Sequence, residues 1–395
     1  MNLAKFPAHL FIMTIILTTL SITTEPANSF AHGTQNTGKQ ASVDLAILLD
    51  TSNSMDGLIN QAKSQLWTIV QQFALAQKNG ESPQLRVALF EYGNTNLPAG
   101  EGYLRQVVPL GDDLDVLSEA LFALTTQGGD EYCGQVINEA ITRLDWSPDM
   151  DSYLTIFIAG NEPFTQGSID YQFACRRAIK RDIVVNTIHC GAHDQGVQGQ
   201  WQKGAEIGHG EFFNIDQDRN IVHIPCPQDP IIIRLNNELN GTYLWYGSAD
   251  KREDYSSNQM AQDSNADLLS SSVAVSRTIT KTSKIYDNRR RDLVDAQISD
   301  LDILNTIAED ELPEIMQKMT VEERESYLQE MSDKRRELKE EIGRQAAERE
   351  IYLVAELKRR SDTADDETLG RAVVLAIRKQ LVEAGFTVDI AGTKN

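Results

Sequence analysis

The chain has 395 residues, 41% hydrophobic and 24% charged, more than one small core needs and apolar enough for most of it to fold. Its 58 acidic against 37 basic side chains leave a formal net charge of −21. Such a surface repels phosphate and anionic lipid, which excludes nucleic acid as a general partner.

The first 31 residues read as a secretory signal peptide. Lys5 supplies a positive charge, Leu10 to Ile22 is a short apolar run, and Ser29-Phe30-Ala31 fits a small-x-small cleavage pattern. No later run is long and apolar enough for a membrane span, so the mature chain is expected in the periplasm or outside the cell. Residues 32–41 are polar and form a linker. The four cysteines, Cys133, Cys175, Cys190 and Cys226, are even in number. In an exported chain they predict at least one disulfide among the first three.

From Val43 the pattern is that of a folded domain reaching Tyr246. Val43 to Leu49 is a mostly apolar strand ending at Asp50, and Leu58 to Ala76 has apolar residues at helical spacing. Strands follow at Leu85–Tyr92 and Tyr103–Leu110, then helices at Asp113–Leu124 and Val136–Leu144. Tyr153–Ala159, Ile183–Cys190 and Glu211–Ile215 are further strands. Helices at Ile169–Lys180, Trp201–Ile207 and Ile231–Leu239 fall between and after them. Strands alternating with helices predict an α/β fold: a doubly wound, mainly parallel sheet covered on both faces. Ligands in such sheets bind beyond the carboxyl ends of the strands.

Residues 247–272, rich in Ser, Asp, Asn and Gln, read as a polar linker. The region 273–395 reads as mostly α-helical. Val321 to Arg360 has Glu and Lys/Arg at pairing distance and a thin apolar line through Leu338, Ile342, Ala346, Leu353 and Leu357. Arg335, Gln345 and Arg349 break a heptad frame there, which favours a helix docked on its own domain over a coiled coil. A last amphipathic helix spans about Thr368 to Ala384.

The chemistry concentrates where the first strand ends. Asp50-Thr51-Ser52-Asn53-Ser54 is a D-x-S-x-S turn that points one carboxylate and two hydroxyls at one centre. These are hard oxygen donors, suited to Mg²⁺, Mn²⁺ or Ca²⁺. The bland alternative is a turn whose oxygens cap the next helix. His189-Cys190-x-x-His193 with His209 is a rival zinc or copper cluster, without the spacing of a standard finger. No G-x-S-x-G elbow, H-E-x-x-H, phosphate loop or Gly-rich dinucleotide fingerprint is present, so no catalytic residue is assigned.

Over roughly Ser42 to Tyr246 the chain resembles the von Willebrand factor type A (vWA) family. The residues that carry this are the apolar strand into Asp50–Met55, the Gly128-Gly129-Asp130-Glu131 loop before a helix, and the strand end at Ile156–Pro163. Residues 282–288 and 293–296 are also similar to the tails of exported bacterial vWA proteins. The resemblance implies a metal-ion-dependent adhesion site, in which a divalent cation bridges to an Asp or Glu of a protein partner. It also implies a Thr in the second loop, where this chain has Asp130 or Glu131, and an Asp at the fourth strand end, where it has Gly160. A carboxylate from Asp130, Glu131 or Glu162 is expected to compensate. The alternatives are a metal-independent scaffold that acts through its helical tail, and a zinc hydrolase that uses His189 and His193.

Overall fold

Every residue of Ser42–Asp50 (β1) is buried, because this strand lies at the centre of a sheet covered on both sides. The computed structural model describes residues 40–215, 224–361 and 369–388. The expected signal peptide lies outside the described residues, as does most of the 32–41 linker.

Six strands form the sheet: β1, Gln84–Tyr92 (β3), Leu104–Gly111 (β4), Tyr153–Gly160 (β5), Ile183–Cys190 (β6) and His209–Ile215 (β7). A two-residue strand, Ala76–Gln77 (β2), precedes β3 and pairs elsewhere. The order is β4-β3-β1-β5-β6-β7. All neighbours run parallel except β4, which is antiparallel to β3. A short loop joins β3 to β4, too short for the crossover that a parallel partner requires. The register sets Asp50 beside Tyr92 and Gly160 beside His189 at one edge.

Helices of the first half are Ile59–Ala74 (α1), Leu114–Ala123 (α2), Cys133–Arg143 (α3), Tyr171–Ile179 (α4), His193–Gln198 (α5), Trp201–Ile207 (α6) and Asp229–Asn240 (α7). Alternation along the strands sorts their side chains between two cores. On one face Leu45, Ile47 and Phe157 meet Leu66, Phe73 and Ile232 from α1 and α7. On the other, Ala46, Leu48 and Ile156 meet Ile137, Ala174 and Trp201 from α3, α4 and α6.

The second half is Ala249–Leu269 (α8), Ser271–Thr282 (α9), three short helices Leu293–Ala296 (α10), Ile303–Thr306 (α11) and Glu314–Gln317 (α12), then Val321–Ser361 (α13) and Leu369–Glu383 (α14). Their apolar residues join the first core: Val275, Leu338, Ile342, Ile377 and Leu381 cluster with those of β1 and α1. The chain end returns as Thr387–Val388 (β8), antiparallel to β2. The helical tail is therefore docked, as the broken heptads predict.

Two expectations are corrected. The polar segment 247–272 is not a linker: α8 occupies most of it. Its buried face is Gln259, Gln262 and Ala266, held by hydrogen bonds instead of an apolar stripe, such as Ser118 Oγ donating to Gln262 Oε1 at 2.9 Å. No disulfide is present either. All four cysteines are buried free thiols. Cys190 belongs to the core on one face of the sheet and Cys133 and Cys175 to the core on the other, so the sheet separates Cys190 from both.

Candidate metal centre

The D-x-S-x-S turn begins where β1 leaves the sheet. Asp50 is fully buried, and its Oδ1 accepts the Ser52 amide at 2.8 Å. Asn53–Met55 then form a single 3₁₀ turn with Met55 packed beneath it. That turn brings the Ser52 and Ser54 hydroxyls to 2.8 Å from each other. Ser54 Oγ donates to Asn161 Oδ1 at 3.0 Å, and Asn161 Nδ2 donates back to the Ser54 carbonyl at 3.2 Å. The turn from β1 and the loop after β5 are thus stitched together.

The loop before α3 lies over the same centre through its backbone. Gln127 N–H donates to the Thr51 carbonyl at 2.9 Å, and Thr95 N–H to the Gly128 carbonyl at 2.7 Å. Gly129 is required there, because a Cβ would stand 2.2 Å from the Gly93 carbonyl oxygen. Gly93 in turn has φ +78°, and a Cβ on it would lie 2.7 Å from Asp50 Oδ1 and 2.9 Å from Glu131 Cγ. Asp50, Ser52 and Glu131 therefore surround one cradle that a side chain at 93 would fill.

The two adjacent acids of this loop go different ways. Glu131 is buried beside Asp50. Asp130 is exposed and accepts a hydrogen bond from the Tyr132 hydroxyl at 3.2 Å. Glu162 lies near enough for its charge to act on both Asp50 and Glu131. Its Oε2 accepts from Gln166 Nε2 at 3.4 Å.

Burial pushes the Asp50 carboxyl up to about 7, opposed by the Ser52 amide and hydroxyl and the Asn161 backbone, with the Glu162 charge adding to the rise. Burial also pushes Glu131 up to about 8, reinforced by Asp50 and Glu162. The second oxygen of Asp50, Oδ2, is buried with no hydrogen-bond partner among the described residues. An unpartnered buried carboxylate oxygen is costly, and an explanation is owed for it. Two carboxylates and two hydroxyls are a donor set of hard oxygens, and a divalent cation of the Mg²⁺, Mn²⁺ or Ca²⁺ kind fits it. Such an ion would supply positive charge to both carboxylates.

The rival histidine cluster does not assemble. His189 is buried, its Nδ1 2.9 Å from Asn214 Oδ1 and its Nε2 3.3 Å from the Asn161 carbonyl, and burial lowers its pKa. His193 is exposed against the Phe212 ring. His209 opens β7 and pairs with Val185, toward the amino edge of the sheet, whereas His189 lies at the carboxyl edge. Among the described residues, no group of three or more His, Cys, Asp or Glu is placed to hold a metal ion. The oxygen site depends on serine hydroxyls as well as carboxylates.

Sequence reasoning missed Asn161 as the tie to Ser54 and Tyr92 as the group over Gly160. The Tyr92 hydroxyl donates to the Ala159 carbonyl at 3.0 Å. Asn161 directly after a buried strand is a signal that was available.

The sequence model of the von Willebrand factor type A domain matches residues 44–223. No curated protein matches the chain. Among solved structures, the chain is similar to the SpRpn10 VWA domain at 15% identity, covering 45% of this chain and 89% of that one, with a TM-score of 0.35. It is similar to BatB from Bacteroides thetaiotaomicron at 14% identity, covering 56% and 99%, with a TM-score of 0.35. Proximal thread matrix protein 1 from the mussel byssus, with a zinc-occupied MIDAS motif, is 14% identical, with 46% of this chain and 43% of that chain covered and a TM-score of 0.32. The chain spans under half the length of that mussel protein.

Proposed function

Residues 44–223 belong to the von Willebrand factor type A family, and from that premise we propose that this chain is an exported, non-catalytic binding protein whose vWA domain engages a protein partner through a divalent cation. Asp50, Ser52, Ser54 and Glu131 hold the ion. The observation that carries this is the buried Asp50 carboxylate: its Oδ1 stands with Glu131 Cγ around the space that a side chain at Gly93 would fill, and its Oδ2 has no hydrogen-bond partner among the described residues. Two buried carboxylates raised by desolvation are unfavourable without a counter-charge, and a hard cation provides one. Asp130 is the weaker candidate, since it is exposed and bonded to Tyr132.

Export is supported by Lys5, the short apolar run and Ser29-Phe30-Ala31. Among the described residues no helix is long and apolar enough to cross a membrane. A metal-independent scaffold that works through a free tail is less favoured, because α13 and α14 contribute Ile342 and Ile377 to the sheet's own core.

Calorimetric titration with Mg²⁺, Mn²⁺ and Ca²⁺ tests the proposal. Wild-type protein should bind at least one of these ions. Asp50→Ala should abolish the heat, and Ser52→Ala or Ser54→Ala should weaken it, with circular dichroism unchanged. Wild-type protein that takes up none of the three at millimolar concentration sinks the metal reading.

A further inference from the structure

Asn161 follows β5 directly and is half-buried, with its backbone carbonyl 3.3 Å from His189 Nε2. Its side chain makes two hydrogen bonds to Ser54, one of the proposed ligands. Nδ2 donates to the Ser54 carbonyl at 3.2 Å, and Oδ1 accepts from the Ser54 hydroxyl at 3.0 Å. A backbone carbonyl only accepts, so the amide end that faces it must be Nδ2. The amide cannot turn over, since that would set Oδ1 against the Ser54 carbonyl oxygen. Oδ1 is thereby held against the Ser54 hydroxyl, and the hydroxyl must supply the proton.

The place of that proton fixes the place of the next. A serine hydroxyl has one proton and two lone pairs. With its own proton on Asn161, Ser54 Oγ can only accept in its 2.8 Å contact with Ser52 Oγ, so in that contact the Ser52 hydroxyl is the donor. The Asp50 and Glu131 carboxyls beside Ser52 compete for the same proton. Ser54 Oγ offers it a place away from the cradle, where a proton would oppose a cation. Both hydroxyl protons can then run toward Asn161, and both serine oxygens keep a lone pair for the ion.

We infer that Asn161 is a positioning residue for the metal centre: by taking the Ser54 proton it aligns the Ser54 and Ser52 hydroxyls as ligands. This rests on the proposed function, in that it requires the ion to bind. Outer-shell partners of this kind orient the ligands, and losing one weakens metal binding by about tenfold or more. A side chain that merely tied the loop after β5 to the turn after β1 would act through the Ser54 backbone. Its effect would not depend on the Ser54 hydroxyl.

The test is a double-mutant cycle on the full-length chain, read by calorimetric titration with Mg²⁺, Mn²⁺ and Ca²⁺, with the melting temperature in EDTA as the folding control. Asn161→Leu should weaken ion binding about tenfold. Asn161→Asp keeps an acceptor in place and loses only the donor to the Ser54 carbonyl, so it should recover most of that loss. In a Ser54→Ala chain, Asn161→Leu should weaken binding by no more than about twofold further, because no hydroxyl is left to orient. Asn161→Ala takes its place in the cycle if Asn161→Leu lowers the melting temperature in EDTA. Equal losses in the wild-type and Ser54→Ala backgrounds overturn the inference, as does an Asn161→Asp loss as large as that of Asn161→Leu. Wild-type protein that takes up none of the three ions overturns the proposed function beneath it. Wild-type protein that binds an ion no better than Asn161→Leu does overturns this inference alone.

Discussion

The Tyr92 hydroxyl occupies the space that any side chain on Gly160 would need. A Cβ at 160 would stand 2.5 Å from that hydroxyl and 3.0 Å from Asp50 Oδ2. The resemblance implies an aspartate at this strand end. In this chain a tyrosine from β3 reaches across and bonds to the Ala159 carbonyl, and in the proposed site the second carboxylate comes from Glu131. Gly160→Ala should therefore destabilise the fold by about 1–3 kcal/mol through overpacking. Gly160→Asp should cost more, since it also buries a third acid. Tyr92→Phe removes the clashing oxygen and should recover part of the Gly160→Ala loss. Urea unfolding of the single and double variants measures the coupling, and additive losses would refute the steric account.

The site should make the metal-free protein less stable as pH rises. Asp50 is raised from its ordinary 3.8 to about 7 and Glu131 from 4.5 to about 8. Both groups keep their protons longer in the folded chain than in the unfolded one. Their contribution is complete below pH 4 and is lost as pH climbs through 7 and 8. Asp50→Asn should remove much of that dependence and stabilise the metal-free protein at the alkaline end by up to about 4 kcal/mol. Saturating Mg²⁺ should flatten the wild-type profile by supplying the missing charge. Thermal unfolding across this range, with EDTA and with Mg²⁺, gives the comparison, and a flat wild-type profile in EDTA would contradict it.

Glu131 and Asp130 separate two readings of the second loop. Glu131→Gln should weaken Mg²⁺ binding about tenfold or more, because it removes a charged ligand. Asp130→Asn should change it no more than about twofold, the size expected of an exposed charge. Isothermal titration of the two variants suffices, and the opposite order would move the ligand to Asp130.

Much of this was legible in the sequence because it is local. The D-x-S-x-S spacing places three donors on one turn, and the apolar runs of β1, β5 and β6 announce buried strands. Choosing between Asp130 and Glu131 was not possible from order alone, since neighbouring residues at the start of a helix point in different directions. What brings Glu131 and not Asp130 beside Asp50 is the close approach of Gly129 to the Gly93 backbone, a contact between distant segments. The helix α8 escaped because its buried face is glutamine, which carries no apolar period. The β2–β8 pair joins two-residue strands from opposite ends of the fold, beyond the reach of any pattern.

The cysteines give a direct check on the sheet. Cys190 is sealed in one core and Cys133 and Cys175 in the other, and burial raises all of the thiol pKa values. Native protein should react slowly with a thiol reagent. The denatured, unreduced protein should yield four thiols per chain, the number of cysteines free in the structure. Two thiols would show a bridge that this arrangement does not contain.

The helical tail should prove inseparable from the sheet domain, because buried charges bind the two together. Arg277 of α9 donates to Asp115 of α2 at 2.9 Å and to Asp263 of α8 at 2.6 Å. Lys281 adds a contact to Asp263 at 3.0 Å. Arg335 of α13 pairs within the tail with Asp292 and Asp295 at 2.6 and 2.8 Å and joins it to the sheet domain by donating to the Thr242 carbonyl at 2.6 Å, with its guanidinium 4.2 Å from the Tyr243 ring centroid. Burial opposes the charge on Asp263, but Lys281 and Arg277 outweigh it and hold the carboxyl well below the usual range. That stabilisation is present above the ordinary carboxylate pKa and fades as pH falls toward the folded one. Arg277→Ala removes one partner from each of two buried carboxylates, leaving Asp263 with Lys281 and Asp115 with Arg291 and the Tyr286 hydroxyl, and should cost about 1.5–3 kcal/mol, above the loss of a surface pair. Guanidinium unfolding followed by tryptophan fluorescence and by far-ultraviolet circular dichroism should show one coincident transition, shifted in the variant. Two separated transitions in wild-type protein would mean that the tail folds independently and that its share of the core is incidental.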